Sequence, residues 1–261
     1  MGSFPLPSPG PVFTRPTRRN RREGVLPLLT IWSPKGGSGT SVVAATCALV
    51  LARSRNTRLV DLAGDQPAIL GLGTEPISGV ADWLAIGPTA PTEALDRLAI
   101  DVAPNLTLLA RGSVPSLLAP DALAEAGAAL GVALRDGEVS TVVDAGLADT
   151  PASRALLEVS DVSIIVIREC YLALRRAVRM PLVGRAAGIF LVTDGTRSLG
   201  AREVSDVLGR SVVASVPVRD GIARAVDAGS LPSRIPEPLV RAASDALNAV
   251  GLGEKRRGEA A

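Results

Sequence analysis

The nine residues Ser33-Pro34-Lys35-Gly36-Gly37-Ser38-Gly39-Thr40-Ser41 restrict this chain more than any others, because they separate an apolar run, Leu28 to Trp32, from a helix-like segment, Val42 to Ala52. A buried strand that breaks into glycines and restarts as a helix aims several backbone N–H groups and the positive end of the helix dipole at one point. An anion such as phosphate is what binds there. Side chains at Gly36, Gly37 and Gly39 would block the close approach of backbone to an oxyanion, and several of the torsions needed have φ > 0.

Ser41 places a hydroxyl where the P-loop pattern puts one on Mg²⁺. The same pattern asks for lysine immediately before it, and Thr40 stands there instead. A plain strand-to-helix turn with spare glycines would leave Lys35 unexplained. Lysine occurs at Lys35 and Lys255 and nowhere else, arginine supplying every other basic side chain. A lysine kept beside the glycines against that bias favours nucleotide phosphate as the ligand.

The segments that follow indicate the architecture. Apolar runs fall at Leu28 to Trp32, Thr57 to Leu62, Leu106 to Ala110, Thr141 to Asp144, Val162 to Ile167, Gly188 to Thr193 and Val212 to Val216. Helical patterns alternate with them at Val42 to Ala52, Asp121 to Leu134, Ala152 to Val159, Leu172 to Leu182, Ala201 to Leu208 and Ile222 to Ala228. Continuous apolar strands alternating with helices predict an α/β fold, a doubly wound and mostly parallel sheet with helices on both faces. The expected division is a Pro- and Arg-rich disordered arm over 1–26, one nucleotide-binding domain over 27–250 and a polar tail over 251–261. Hydrophobic residues make up 47% of the 261, enough for a core, but aromatics are 2%, so Ala, Val and Leu must fill it. There is no histidine, and Cys47 and Cys170 lack metal spacing, which excludes a zinc or His-based site and reads as packed thiols. A net charge of +2 does not by itself argue for nucleic acid.

Lys35-Gly36-Gly37-Ser38-Gly39-Thr40-Ser41 resembles the deviant P-loop of the ParA/MinD family of nucleotide-dependent positioning proteins, in which an extra lysine precedes two glycines. The resemblance implies ATP and Mg²⁺ bound by Lys35, Gly36, Gly37, Ser38, Gly39, Thr40 and Ser41. It also implies a homodimer formed across ATP, with Lys35 reaching the partner's nucleotide. Loops that lack the second lysine are similar to those of the CpaE/TadZ branch, which implies protein partners in pilus, secretion or cell-pole machinery. The implied address is the cytoplasm, or the periphery of the membrane or pole.

In an open α/β sheet the ligand lies beyond the carboxyl ends of the strands, so acids there are site candidates. Asp144 ends an apolar strand and, with Ser41, is the candidate for holding Mg²⁺. The resemblance implies two acids at the end of the second strand, a catalytic Asp61 and a water-orienting residue two positions on. That second position is Ala63 without a gap or Asp65 with one, and Asp61 and Asp65 also suit turn or cap roles. Where related proteins carry an asparagine that reads adenine this chain has Asp194, and Pro217 falls in the family's base-flanking loop.

Leu174, Ala177 and Val178 give one helical face, which leaves Arg175, Arg176 and Arg179 on or near another. With the arginines of the arm they could meet DNA phosphate or remain a solvated face. The last helix, Pro238 to Val250, carries Leu239, Val240, Ala243, Leu247 and Val250 on one side. MinD-type proteins dock such a helix on membrane; its modest apolar residues here favour packing against the domain. No stretch resembles a signal peptide or a transmembrane helix. Three readings follow: an ATP-binding positioning protein with weak or absent hydrolysis, a DNA-partitioning ATPase, and a nucleotide-free pseudo-ATPase scaffold. The replacement of the P-loop lysine by Thr40 leaves ATPase activity itself open.

Overall fold

The computed structural model describes residues 27–113, 117–195 and 199–253. The Pro- and Arg-rich arm over 1–26 and positions 254–261 of the tail, with Lys255, lie outside the described residues. Eight strands form one sheet: β1 (Leu28–Trp32), β2 (Thr57–Asp61), β3 (Ile100–Ala103), β4 (Leu106–Leu109), β5 (Ser140–Asp144), β6 (Val162–Arg168), β7 (Gly188–Thr193) and β8 (Val212–Pro217). Their order is β3-β4-β2-β5-β1-β6-β7-β8. Every pairing is parallel except the antiparallel edge pair β3 and β4.

The helices are α1 (Thr40–Ala52), α2 (Gln66–Ile69), α3 (Val80–Ile86), α4 (Glu93–Leu98), α5 (Pro120–Asp136), α6 (Pro151–Val159), α7 (Tyr171–Ala177), α8 (Ala201–Leu208), α9 (Asp220–Asp227) and α10 (Glu237–Ala249). Successive strand residues point to opposite faces. On one face Leu29, Ile31, Val142, Ile164 and Val166 meet α1 and α10, with α2 and α9 at the margin. On the other, Leu28, Val60 and Val143 pack on α3 to α6, while Trp32, Ile165 and Ile167 pack on α6 to α8. All five residues of β1 are buried, as expected of a central strand covered twice.

The anticipated α/β architecture is therefore observed, with differences that have local causes. The helix expected to run to Leu182 ends at Ala177, and a separate 3₁₀ turn spans Pro181–Arg185. Proline pushes the preceding residue out of the helical region, and Met180 has φ −99° and ψ 114°. Val178, grouped with Leu174 and Ala177 on one face, is exposed at the helix C-cap while those two are buried. Arg175, Arg176 and Arg179 are exposed. The last helix packs Leu239, Ala242, Ala243, Ala246 and Leu247 into the core with α1 and β8, so its apolar side is covered. The pattern did not single out β3 or α2 to α4, which have four to seven residues each. No helix among the described residues is long and apolar enough to cross a membrane.

Candidate functional site

β1 lies where the sheet order reverses: the chain leaves it to form β2 on one side and later β6 on the other. The loop from β1 to α1 therefore stands at the crevice where doubly wound sheets take ligands. Gly37 (φ 71°) and Gly39 (φ 84°) occupy the left-handed region, and Gly39 precedes the first turn of α1. Ser38 donates its hydroxyl to the Lys35 carbonyl at 2.6 Å, and Ser33 donates to the same carbonyl at 3.1 Å. A Cβ built on Gly36 or Gly37 would meet nothing within 4 Å. The space those glycines leave is therefore not filled by the protein, as a cradle for an oxyanion requires.

That space belongs to a cavity of about 650 Å³ lined by Gly36, Gly37, Ser38, Gly39, Thr40, Ser41, Ala63, Asp65, Arg111 and Gly146, among others. The N-terminus of α6 opens onto it too, through Asp149, Thr150 and Ser153. Thr150 caps that helix, accepting from the Ser153 N–H at 3.1 Å. A second cavity of about 300 Å³ lies behind the loop, between Gly37 to Gly39 and Val216, Pro217, Val218, Arg219 and Ile222. It is mainly apolar, as small-molecule sites commonly are.

The acids separate by burial. Asp61 is fully buried and accepts three backbone N–H groups, from Ala63 at 3.0 Å, Gly64 at 2.6 Å and Gln66 at 3.0 Å. It holds the loop in shape and does not line the cavity. Asp65 does line it and accepts from the Ser41 hydroxyl at 3.3 Å. Ala63 lines the same wall without a carboxylate. Asp144 is fully buried behind Ser41, accepting from Gln66 Nε2 at 2.8 Å and the Gly146 N–H at 3.0 Å. Burial raises the Asp144 carboxyl above its ordinary range, against hydrogen bonds from Gln66, Ser41 and Gly146 that lower it; the Asp65 charge raises it further.

Asp194 is tied elsewhere: its carboxylate pairs with Arg168 at 3.1 Å, and its N–H donates to Glu169 at 2.9 Å. Lys35 lines neither cavity; its ammonium donates to the Gly36 carbonyl at 3.0 Å at the surface. Cys47 is buried within α1, its thiol pushed up to about 12 by burial.

The residues fit a Mg²⁺ ion that arrives with a nucleotide. Among the described residues no group of three or more Asp, Glu, Cys or His side chains could hold a metal unaided. Ser41 and Asp65 offer oxygen donors on the cavity wall, with the Asp144 carboxylate buried behind Ser41, and oxygen donors are the chemistry that Mg²⁺ shared with phosphates uses.

Gln66 and Arg111 escaped the sequence reading. Gln66 is fully buried, donating through Nε2 to the Ser41 carbonyl at 3.0 Å as well as to Asp144, while its Oε1 has no partner among the described residues. Its position one residue past Asp65 was the available signal, but nothing local says that it crosses to Asp144. Arg111 lies just beyond the Leu106 to Ala110 run, and the rule that ligands sit beyond strand ends would have found it.

Burial of Asp61 has a pH consequence. Burial first, and the Asp144 charge next, overcome the three backbone donors and raise its carboxyl to about 7. A carboxyl that holds its proton more tightly when folded than when unfolded, near ~3.9, makes stability fall as pH rises between those values. A tenfold change in proton affinity is worth about 1.4 kcal/mol. Urea denaturation of the nucleotide-free protein at pH 5 and pH 8 should therefore show wild type losing a few kcal/mol relative to Asp61→Asn. A pH-independent difference between the two proteins would refute this assignment.

No family model matches the chain. It is 28% identical over 244 residues to uncharacterized proteins from two strains of Mycobacterium tuberculosis, covering 87% of this chain. The chain spans 65% of the length of those relatives. Among solved structures, a ParA family ATPase from Chlorobium tepidum superposes with a TM-score of 0.70 at 20% identity, over 88% of this chain and 100% of that one. MinD from Pyrococcus horikoshii, complexed with Mg-ADP, gives 0.68 at 18% identity, over 87% and 96%. An McdA–ATP complex from Cyanothece gives 0.68 at 17%, over 89% and 99%. The fold is that of the ParA/MinD P-loop NTPases.

Proposed function

We propose that this chain is a ParA/MinD-like positioning protein that binds ATP with Mg²⁺, dimerises across the nucleotide and hydrolyses it slowly or not at all. The observation that carries the reading is the cradle: glycines whose absent side chains leave open space, at the head of α1, facing a cavity that also holds Ser41 and Asp65. The bound nucleotides of the MinD and McdA structures sharing the fold support it.

Each residue has a role in this reading. The backbone N–H groups of Gly36 to Thr40 hold phosphate oxygens, while Ser41, with Asp65 and Asp144, holds the ion. Pro217, with Val218 and Ile222, walls the base, and Asp194 lies beside that wall, engaged by Arg168. Mg²⁺, when bound, supplies positive charge to the phosphate oxygens. Thr40 supplies none, and Ala63 cannot orient water, so catalysis is weakened more than binding. Asp65 and Asp61 remain the acids of the loop, the first open to the cavity and the second holding its shape. Lys35 stands outside its own cavity, free to cross to a second copy.

In this reading the chain is of the CpaE/TadZ kind, recruiting protein partners at pilus, secretion or pole machinery; Thr40 and the loop around Asp65 support it. The exposed Arg175, Arg176 and Arg179 support a second reading, a partitioning ATPase on DNA. Its sign would be ATP-dependent DNA binding that falls steeply with salt.

The test is calorimetric titration with a non-hydrolysable ATP analogue and Mg²⁺, with sedimentation of wild type and Lys35→Ala. Wild type should bind and dimerise with the analogue. Lys35→Ala should remain monomeric at the same concentration and bind about tenfold more weakly, the loss of one charge-assisted contact. A dimer of equal strength without nucleotide would count against the reading. No binding heat and an unchanged melting temperature at millimolar analogue would point instead to a nucleotide-free scaffold.

A further inference from the structure

Among the described residues that line the large cavity one side chain is cationic, and it is not the lysine of the P-loop pattern. Arg111 lines it together with the carboxylates of Asp65 and Asp149. A triphosphate entering there would meet two acids, so the guanidinium is the lining residue that can offset its charge.

The backbone around Arg111 is fixed. The Ala110 carbonyl accepts from the Val80 N–H at 2.8 Å, and the Arg111 carbonyl accepts from the Ala81 N–H at 2.9 Å. Gly79 and Gly112 let these segments touch, since a Cβ on Gly79 would come within 2.1 Å of the Ala110 carbonyl oxygen. The side chain, by contrast, is exposed and pairs with no carboxylate among the described residues. Its contact is a long hydrogen bond, 3.4 Å, from Nη1 to the Ala63 carbonyl. Gly64 (φ 103°) seats it: a Cβ there would lie 3.3 Å from Nη1 and 3.4 Å from Cδ. Anchored backbone and loosely held guanidinium suit a group that orders on a ligand.

Position defines which ligand atom it meets. β4 is three strands from β1, about 14 Å at ordinary strand spacing, and the guanidinium lies over the end of β2, partway back. It therefore faces the outer end of a polyphosphate whose inner end sits in the loop.

We infer that Arg111 binds the terminal phosphate of a nucleoside triphosphate in the same subunit, supplying the charge that Thr40 does not. The inference rests on the nucleotide reading above. An arginine in this place meets phosphate through two parallel N–H groups and distinguishes tri- from diphosphate.

The experiment is calorimetric titration of the full chain with Mg²⁺ and either a non-hydrolysable ATP analogue or ADP. The proteins are wild type, Arg111→Gln, Arg111→Lys and Arg111→Gln with Thr40→Lys. Arg111→Gln should weaken the analogue by roughly 30-fold, the loss of a charge-assisted pair, and ADP by less than about threefold. Arg111→Lys should fall between, and Thr40→Lys should restore affinity for the analogue in the Gln background. Unchanged melting temperatures without ligand separate this from misfolding. If wild type binds the analogue while Arg111→Gln binds it equally well, or loses ADP in the same proportion, the inference is overturned and the nucleotide reading stands. If wild type binds neither ligand, both fall.

Discussion

Gly36→Val should leave the unliganded protein folded, melting within about 2 °C of wild type, while weakening binding of an ATP analogue by roughly 100-fold, about 2.7 kcal/mol. The two halves of this result come from one observation. A Cβ on Gly36 meets no protein atom within 4 Å, and the residue's φ is not in the left-handed region, so the fold has no reason to reject a side chain. The space it would enter is the cradle, where the backbone must approach an oxyanion directly. Gly37→Val is the comparison: at φ 71° any side chain adds roughly 1–2 kcal/mol of backbone strain, so there both stability and binding should fall. Thermal melts and calorimetry on the two variants separate the cases. Undiminished nucleotide affinity in Gly36→Val would remove the cradle assignment.

Gly127→Ala should destabilise the protein by about 3 kcal/mol or more, lowering the melting temperature by roughly 10 °C. Propensity predicts the opposite sign, because alanine in a helix interior is favoured over glycine by about 1 kcal/mol. The contact between α5 and α6 decides it. A Cβ on Gly127 would lie 2.3 Å from the Ala152 carbonyl oxygen and 2.4 Å from its Cα, both backbone atoms that no rotamer change can move. One turn later, a Cβ on Gly131 would come within 2.3 Å of Val159 Cγ2. The two glycines thus let the helices approach closely along a shared face. Because α6 begins at the cavity with Thr150 and Ser153, forcing it outward should also weaken nucleotide binding. A variant as stable as wild type would show that the helices separate at little cost.

The sheet was legible because short, mainly apolar strands such as Leu28–Trp32 and Val162–Arg168 alternate with longer helical stretches. The elements that escaped lie between Asp61 and Leu106, where β3 has only four residues, three of them half-buried, and the short helices α2 to α4 are separated by stretches with Gly and Pro. Short segments give too few periods to reveal a face. The loop after β5 carries a different kind of hidden information. Ala148 adopts φ 49°, uncommon for a residue with a side chain, and is held there by its N–H to Ala145 and by Arg154 on its carbonyl. Such strain persists where the surroundings fix it, and here it lies between Leu147 and Asp149, both on the cavity wall.

The sequence by itself determined the strand, glycine loop and helix of the candidate site, the parallel sheet around it, and the absence of cationic charge at Thr40. Those are properties of neighbouring residues, set by backbone sterics and by which side chains water excludes. The tertiary structure alone decided which acids face the cavity: Asp61 is turned inward onto three amides and Asp65 outward toward Ser41, though only three residues separate them. It also brought Gln66 to Asp144 across 78 positions and set Arg111 over Ala63 across 48. Strand order makes these meetings, and strand order comes from how all the apolar faces are buried together, which no local pattern encodes.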